Sequence, residues 1–349
     1  MSDTTYRGRR AVSIQNSDLR VTVTREGGHI AEIFDRAAGV NPLWSPPWPS
    51  IEPSTYDPAR HSEYGGNAES KLLAGILGHN LCLDLFGGPS LEEAAAGMTV
   101  HGEASVASYE IEASSREIIQ RTEMPIAQLR FCRTIELQGR ALRILETVEN
   151  LSACDRPIAW TQHVTLGPPF LERGATQFRA SATRSKVYEQ PFGVHDYLTP
   201  GAEFDWPLAP RAPWGPADLR VYTAAEASCA FTTHLMDTER EDAFFLAFSP
   251  AYRLAFGYLW KRADFPWLGI WEENHSRTSP PWNGNTMARG MEFGVSPIPE
   301  SRRAMIDRGN LFGVPAYRWL AARGRLAAEY WAIAQSSVEV PEAMVLPAA

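Results

Sequence analysis

Two short stretches carry the side chains best suited to moving protons. In "WTQHVTLGPPFL", Trp160–Leu171, His163 lies on a strand that Val164 and Thr165 extend and Gly167 ends. In "RGMEFGVSP", Glu292 stands between Met291 and Phe293. Strand alternation puts those two apolar residues on one face and Glu292 on the other, so its carboxylate meets either solvent or a pocket. Histidine and glutamate are the usual partners of general acid–base catalysis. A packed interior ring is the competing reading for His163, and its neighbours alone do not decide the matter.

Other candidates sit where strands end. "GILGHNLCLDLFGGP" places His79 and Asn80 between a glycine and an apolar strand. "GMTVHGEASVASYEI" puts His101 directly before Gly102, where the backbone can approach a ligand closely. His195 stands beside Asp196 in a loop. Glu272 and Glu273, adjacent in a strand, point to opposite faces, so at most one lines the same site. The chain holds 11 tryptophans, with Trp260, Trp267, Trp271 and Trp282 clustered. Indole faces pack in cores, and they also pack on the C–H faces of pyranoses.

Several chemistries find no support. No two histidines stand at i, i+2 or i, i+4, so no local metal-binding pattern is present, and no metal is expected. "HGE" at His101 lacks the second histidine of an H-x-H motif. Neither G-x-S-x-G, G-x-G-x-x-G nor a P-loop occurs. The residues point to acid–base chemistry with no cofactor.

The totals narrow the partners. The net charge of −8 repels phosphate backbones, so nucleic acid is not expected. Cys82, Cys132, Cys154 and Cys229 are widely spaced, without a disulfide framework or zinc pattern. The N-terminus has no apolar signal core, and no run nears the ~20 apolar residues of a membrane span. The expectation is a cytoplasmic protein without a membrane partner; its oligomeric state is not legible.

Period-2 alternation dominates the elements that would position these groups. Leu19–Arg36 reads as a hairpin around Gly27 and Gly28, and Ala107–Met124 repeats the theme. Ala127–Ser152 reads as a long hairpin around Gly139, and Phe244–Trp260 as another around Ser249 and Pro250. Helix is scarce: Ser90 caps a short candidate, "SLEEAAAGM". The piece "RLAAEYWAIAQ", Arg325–Gln335, is taken as a closing strand. The Pro-rich stretch Pro42–Pro58 suits a site rim better than a linker. The sum is an all-β protein in one domain, residues 1–349.

The order of these pieces resembles the aldose 1-epimerase (galactose mutarotase-like) superfamily. The opening hairpin, "VHGEA" at His101, the long hairpin with Asn150 and then His163, and "RGMEFGVSP" with Glu292 carry the resemblance. It implies a β-supersandwich of largely antiparallel sheets, with the site on a concave face. Position by position it implies His163 as general acid, Glu292 as general base and His101 as a sugar-holding residue, with a small-molecule sugar as partner. His79 and Asn80 stand where the family commonly has an arginine, and Asp205 in "GAEFDWP" loosely matches a substrate-contacting aspartate. Trp271 and Glu273 complete the expected sugar contacts. The segment "WEENHSRTSPPWNG" is not a typical element of that family. The alternatives are a non-catalytic carbohydrate-binding protein, or a lyase or hydrolase on the same scaffold. An acid and a base on opposite sides of one sugar, a hexose apart, is the expected geometry.

Overall fold

The computed structural model describes residues 2–346, so the first residue and the last three of the expected 1–349 unit lie outside the described residues. Among them the main strands form a twelve-stranded and an eight-stranded sheet, paired antiparallel throughout. The middle of the larger sheet sets His79–Asp84, Arg156–Leu166, Met287–Gly294, Trp267–Asn274 and Ser228–Met236 side by side. The smaller sheet is built around Asp242–Ser249, Leu254–Lys261, Arg325–Ser336, Ala141–Asn150 and Leu129–Gln138. The expected hairpins form, and Arg325–Ser336 closes the smaller sheet between Leu254–Lys261 and Ala141–Asn150. Ser90 caps the helix Leu91–Ala95 through a reciprocal bond with Glu93. Two further short helices, Ser70–Leu73 and Arg302–Arg308, lack a clear amphipathic period and are not legible in the sequence.

Alternation along the central strands sorts the side chains into two environments. One face of the larger sheet packs Leu81, Leu83, Trp160, Val164, Leu268, Ile270, Met291 and Phe293 into the main core between the sheets. That core holds one polar network. Buried Glu146 accepts from Arg133 Nε at 2.7 Å, Tyr330 Oη at 2.7 Å, Trp160 Nε1 at 2.9 Å and Gln162 Nε2 at 2.6 Å. A buried carboxylate survives only with partners of this kind. The other face carries Phe231, Trp271 and Ala288 into a second apolar cluster under the loops, with Trp44, Trp48, Leu72, Leu73 and Trp282. The Pro-rich stretch therefore roofs this outer face. No helix among the described residues is long and apolar enough to cross a membrane.

Candidate active site

Strand register brings the site together. His163 pairs with Glu292 on one side and with Asn80 on the other. Directly opposed residues share a face, so the imidazole and the carboxylate meet on the outer side of the sheet. Their contact is 3.1 Å, from His163 Nε2 to Glu292 Oε1. The other ring nitrogen, Nδ1, lies 3.1 Å from the Thr165 hydroxyl, two residues along the same strand. Two glycines make room beside the carboxylate: Gly269 opposes Glu292 on the next strand, and Gly290 precedes it by two positions. A Cβ at Gly290 would lie 2.2 Å from Glu292 Oε1.

A cavity of about 210 Å³ opens above the pair. Its walls come from a short helix and from loops: Leu72, Leu73 and Ile76, then Gly87, Gly88 and His101, then Arg277 and Trp282. His101 occupies a left-handed backbone conformation, φ 67°, followed by Gly102 at φ 79°. A non-glycine residue pays for that conformation, and such residues concentrate at functional sites. His101 Nδ1 donates to the Phe86 carbonyl at 2.6 Å, which leaves Nε2 as the acceptor. Its ring centroid is 4.9 Å from that of His163. Trp271 lies 6.1 Å from His163, and Trp282 packs edge-on to Trp271 at 5.9 Å.

Burial sets the electrostatics. The Glu292 carboxyl is pushed up to about 8 because water is excluded, against a smaller opposing pull from Arg277. His163 is held well below its ordinary value by burial first, and then by the neighbouring His101. His101 is lowered by burial, which its bond to Phe86 opposes. Both charged forms of the contacting pair are thus disfavoured at neutral pH. At neutral pH the pair carries one proton, on Glu292, beside a neutral imidazole.

The expected site residues divide. His163, Glu292, His101 and Trp271 line the cavity together. His79 does not: alternation turns it to the opposite face. There its Nδ1 lies 3.1 Å from Tyr258 Oη and its Nε2 lies 2.9 Å from Gln162 Oε1. Burial in the core holds it down at about 3, so it is a structural neutral ring. Asn80 shares the face of His163 but is fully buried and lines no part of the cavity. Asp205 ends the edge strand Glu203–Asp205 and is exposed, away from the pocket. Glu273 is buried beside the site; its Oε1 accepts the backbone N–H of Ser276 at 2.7 Å and of Arg277 at 2.9 Å. It shapes the loop and does not itself line the cavity. The expected spacing of acid and base also changes: they stand side by side on neighbouring strands, in contact, with the cavity above both. Arg277, Glu69, Phe192 and Phe231 also line the cavity. Arg277 had a signal in the polar segment after Trp271, whereas Glu69 had none. Among the described residues no group of His, Cys, Asp and Glu is arranged to hold a metal ion.

No family model matches this sequence, and no curated protein does so either. Solved structures do. A candidate aldose 1-epimerase from Klebsiella pneumoniae superposes with a TM-score of 0.65 at 14% identity, over 95% of this chain and 80% of that one. A galactose mutarotase-like protein from Clostridium acetobutylicum gives 0.63 at 12% identity, over 96% of this chain and 98% of that one. Another from Lactobacillus casei gives 0.59 at 13%, over 93% and 100%. At such identities the likeness speaks to architecture, and on that ground this chain is a galactose mutarotase-like β-supersandwich.

Proposed function

We propose that the protein interconverts the anomers of a small sugar, an aldose 1-epimerase-like isomerase acting through His163 and Glu292. The observation that carries this reading is the 3.1 Å contact between imidazole and carboxyl on the floor of the cavity. Ring opening takes a proton from the anomeric hydroxyl and delivers one to the ring oxygen, while the bond from C1 to the ring oxygen breaks and C1 becomes a carbonyl. Both oxygens are attached to C1. Acid and base therefore belong next to each other, not across the sugar, and a pair in contact at 3.1 Å on adjacent strands meets that demand.

The pair also holds the right number of protons. One member must arrive protonated and the other free, and burial favours a single proton between them. In the empty pocket that proton rests on Glu292. The roles implied by the resemblance, His163 as acid and Glu292 as base, follow once it crosses to the imidazole. Rotation about C1–C2 and reclosure run the transfers backward and restore the pair. His101 Nε2 accepts a sugar hydroxyl, and Trp271 and Trp282 offer indole surface. A volume of about 210 Å³ lies below the range of drug-sized sites, which suits one monosaccharide better than an oligosaccharide. One core cluster drawing on residues from Val12 to Ala334 supports a single unit over 1–349.

The test is NMR saturation exchange between the anomers of D-glucose and D-galactose. His163→Gln and Glu292→Gln each lower the exchange rate by about 10²–10⁴-fold while circular dichroism stays that of the wild type. Unchanged exchange in both variants ends the proposal. Sugar binding by calorimetry without any exchange in the wild type would instead favour a carbohydrate-binding role.

A further inference from the structure

The segment after Trp271, "EENHSRTSPPWNG", is not explained by the acid–base pair, yet it delivers a guanidinium into the cavity. Arg277 Cζ sits 4.7 Å from the Trp282 ring, 5.5 Å from Trp271 and 5.6 Å from Phe192. Three aromatic rings thus fix the direction of the side chain. The loop is itself anchored: Glu273 accepts two of its backbone N–H groups, and His275 Nδ1 donates to the Gly284 carbonyl at 2.7 Å.

Two carboxylates pair with the charge of Arg277 without hydrogen-bonding to it. Glu273 Oε2 lies 3.6 Å from its Nε, and Glu69 Oε2 lies 3.8 Å from its Nη1. Both exceed hydrogen-bonding length, so the fork of N–H groups remains available to a ligand. Arg277 acts electrostatically on Glu292, yet forms no ion pair with it among the described residues. The space between them is cavity, floored by His163 and sided by Trp271.

We infer that Arg277 and Glu69, from two separate loops, form a clamp that reads hydroxyl groups of a neutral monosaccharide across Trp271 from the His163–Glu292 pair. Guanidinium supplies donors and carboxylate supplies acceptors, a combination that matches the mixed character of neighbouring hydroxyls. The charge of the guanidinium is already met by two carboxylates. A sugar acid or a sugar phosphate would bring further negative charge against Glu69 and Glu273, so the clamp selects for neutral sugars. This rests on the anomer-exchange reading for its sugar, but on different residues.

The experiment compares wild type, Arg277→Met and Glu69→Gln with D-glucose, D-galactose, their 3-, 4- and 6-deoxy analogues, D-glucuronate and D-glucose 6-phosphate. Met keeps an apolar stem among the rings, and Glu69 is half-exposed, so the second variant guards against misfolding of the first. In Arg277→Met, KM for the neutral sugars rises about 10–100-fold, as for loss of a charged hydrogen bond, while kcat is little changed. The wild type discriminates against at least one deoxy analogue, and Arg277→Met does not. Glu69→Gln improves the relative handling of D-glucuronate. Unchanged KM in both variants, an equal fall in kcat in place of a rise in KM, or a wild-type preference for the charged sugars overturns the clamp. Should the wild type exchange no anomers, calorimetric binding of the same neutral sugars decides: weaker binding in Arg277→Met upholds the clamp while the isomerase reading falls, and equal binding overturns it.

Discussion

Gly290→Ala separates positioning of the acid–base pair from stability of the fold. Gly290 lies on the strand Met287–Gly294, in the register between Thr165 and Trp271. Its backbone is not in the left-handed region, so alanine fits the local conformation. What the new methyl meets is the Glu292 carboxyl: 2.2 Å to its Oε1 and 3.1 Å to its Cδ, with the Trp271 Cβ at 3.2 Å. The carboxyl is the far end of a flexible side chain and must retreat by about 1 Å or more to reach van der Waals distance. That motion breaks its 3.1 Å contact with His163. A displacement of about 1 Å at a reacting group costs on the order of 10²-fold in rate. The Trp271 contact needs only a few tenths of an ångström, so the folding cost stays at the low end of overpacking, about 1 kcal/mol.

Anomer exchange of D-galactose by NMR, paired with a thermal melt, measures both effects. The expected outcome is a loss of about 10²-fold in exchange with a melting point lowered by a few degrees. The double variant Gly290→Ala/Glu292→Gln should be no slower than Glu292→Gln alone, because both act through one carboxyl. Full losses that multiply in the double variant, or a Gly290→Ala protein with wild-type exchange, would refute the reasoning.

Two further outcomes follow from the same chemistry. Exchange needs one proton on the pair, so its rate falls as pH rises through about 8, where Glu292 loses that proton; a rate still climbing at pH 9 argues against the pair. Stability carries the same group with a definite sign. The folded Glu292 is raised above its ordinary 4.5, so its contribution is fully present below pH 4.5 and is lost as pH rises toward about 8. The difference in unfolding free energy between wild type and Glu292→Gln should therefore shift against the wild type across that window, and a pH-independent difference contradicts a buried, proton-holding carboxyl. His79→Phe leaves exchange within about twofold but costs about 1–3 kcal/mol by denaturant unfolding, because Tyr258 and Gln162 lose a buried partner. A large loss of exchange in a folded His79→Phe protein would return that ring to the site.

The all-β architecture was legible because alternation is local: each hairpin announces itself within about twenty residues. His163 and Glu292 were legible as types, and their motif order fitted a known arrangement. Their mutual distance was not, since it depends on which strands pair. Arg156–Leu166 and Met287–Gly294 are far apart in the chain, and nothing local encodes their register. The same blindness misassigned His79. Next to Asn80 it looked like part of a polar element, but a strand turns consecutive residues to opposite faces, and only the pairing with the Val164 position says which face is the core. Asp205 was misread for a different reason: its strand is an edge, so a motif-like position fell outside the sheet's central groove. Arg277 depended on a loop whose anchor is Glu273, one carboxylate oxygen of which accepts two backbone N–H groups.

The floor of this cavity is backed by the core, and its walls are not. Directly behind His163, neighbouring Gln162 points the other way and donates to Glu146, the hub that also holds Arg133, Trp160 and Tyr330. Every member of that hub is buried, so small displacements of the strand carry the cost of unpaired polar groups. The His163 imidazole is therefore mounted on the part of the sheet that resists movement most, and Glu292 follows through ladder pairing with the same strand. His101, Arg277 and Glu69, which line the cavity, lie outside the sheet and are held by contacts within their own segments, such as the bond of His101 to Phe86 and the Glu273 anchor before Arg277. On the proposed reading, changes in those segments alter which sugar is accepted while the spacing of His163 and Glu292, fixed by strand pairing, stays the same.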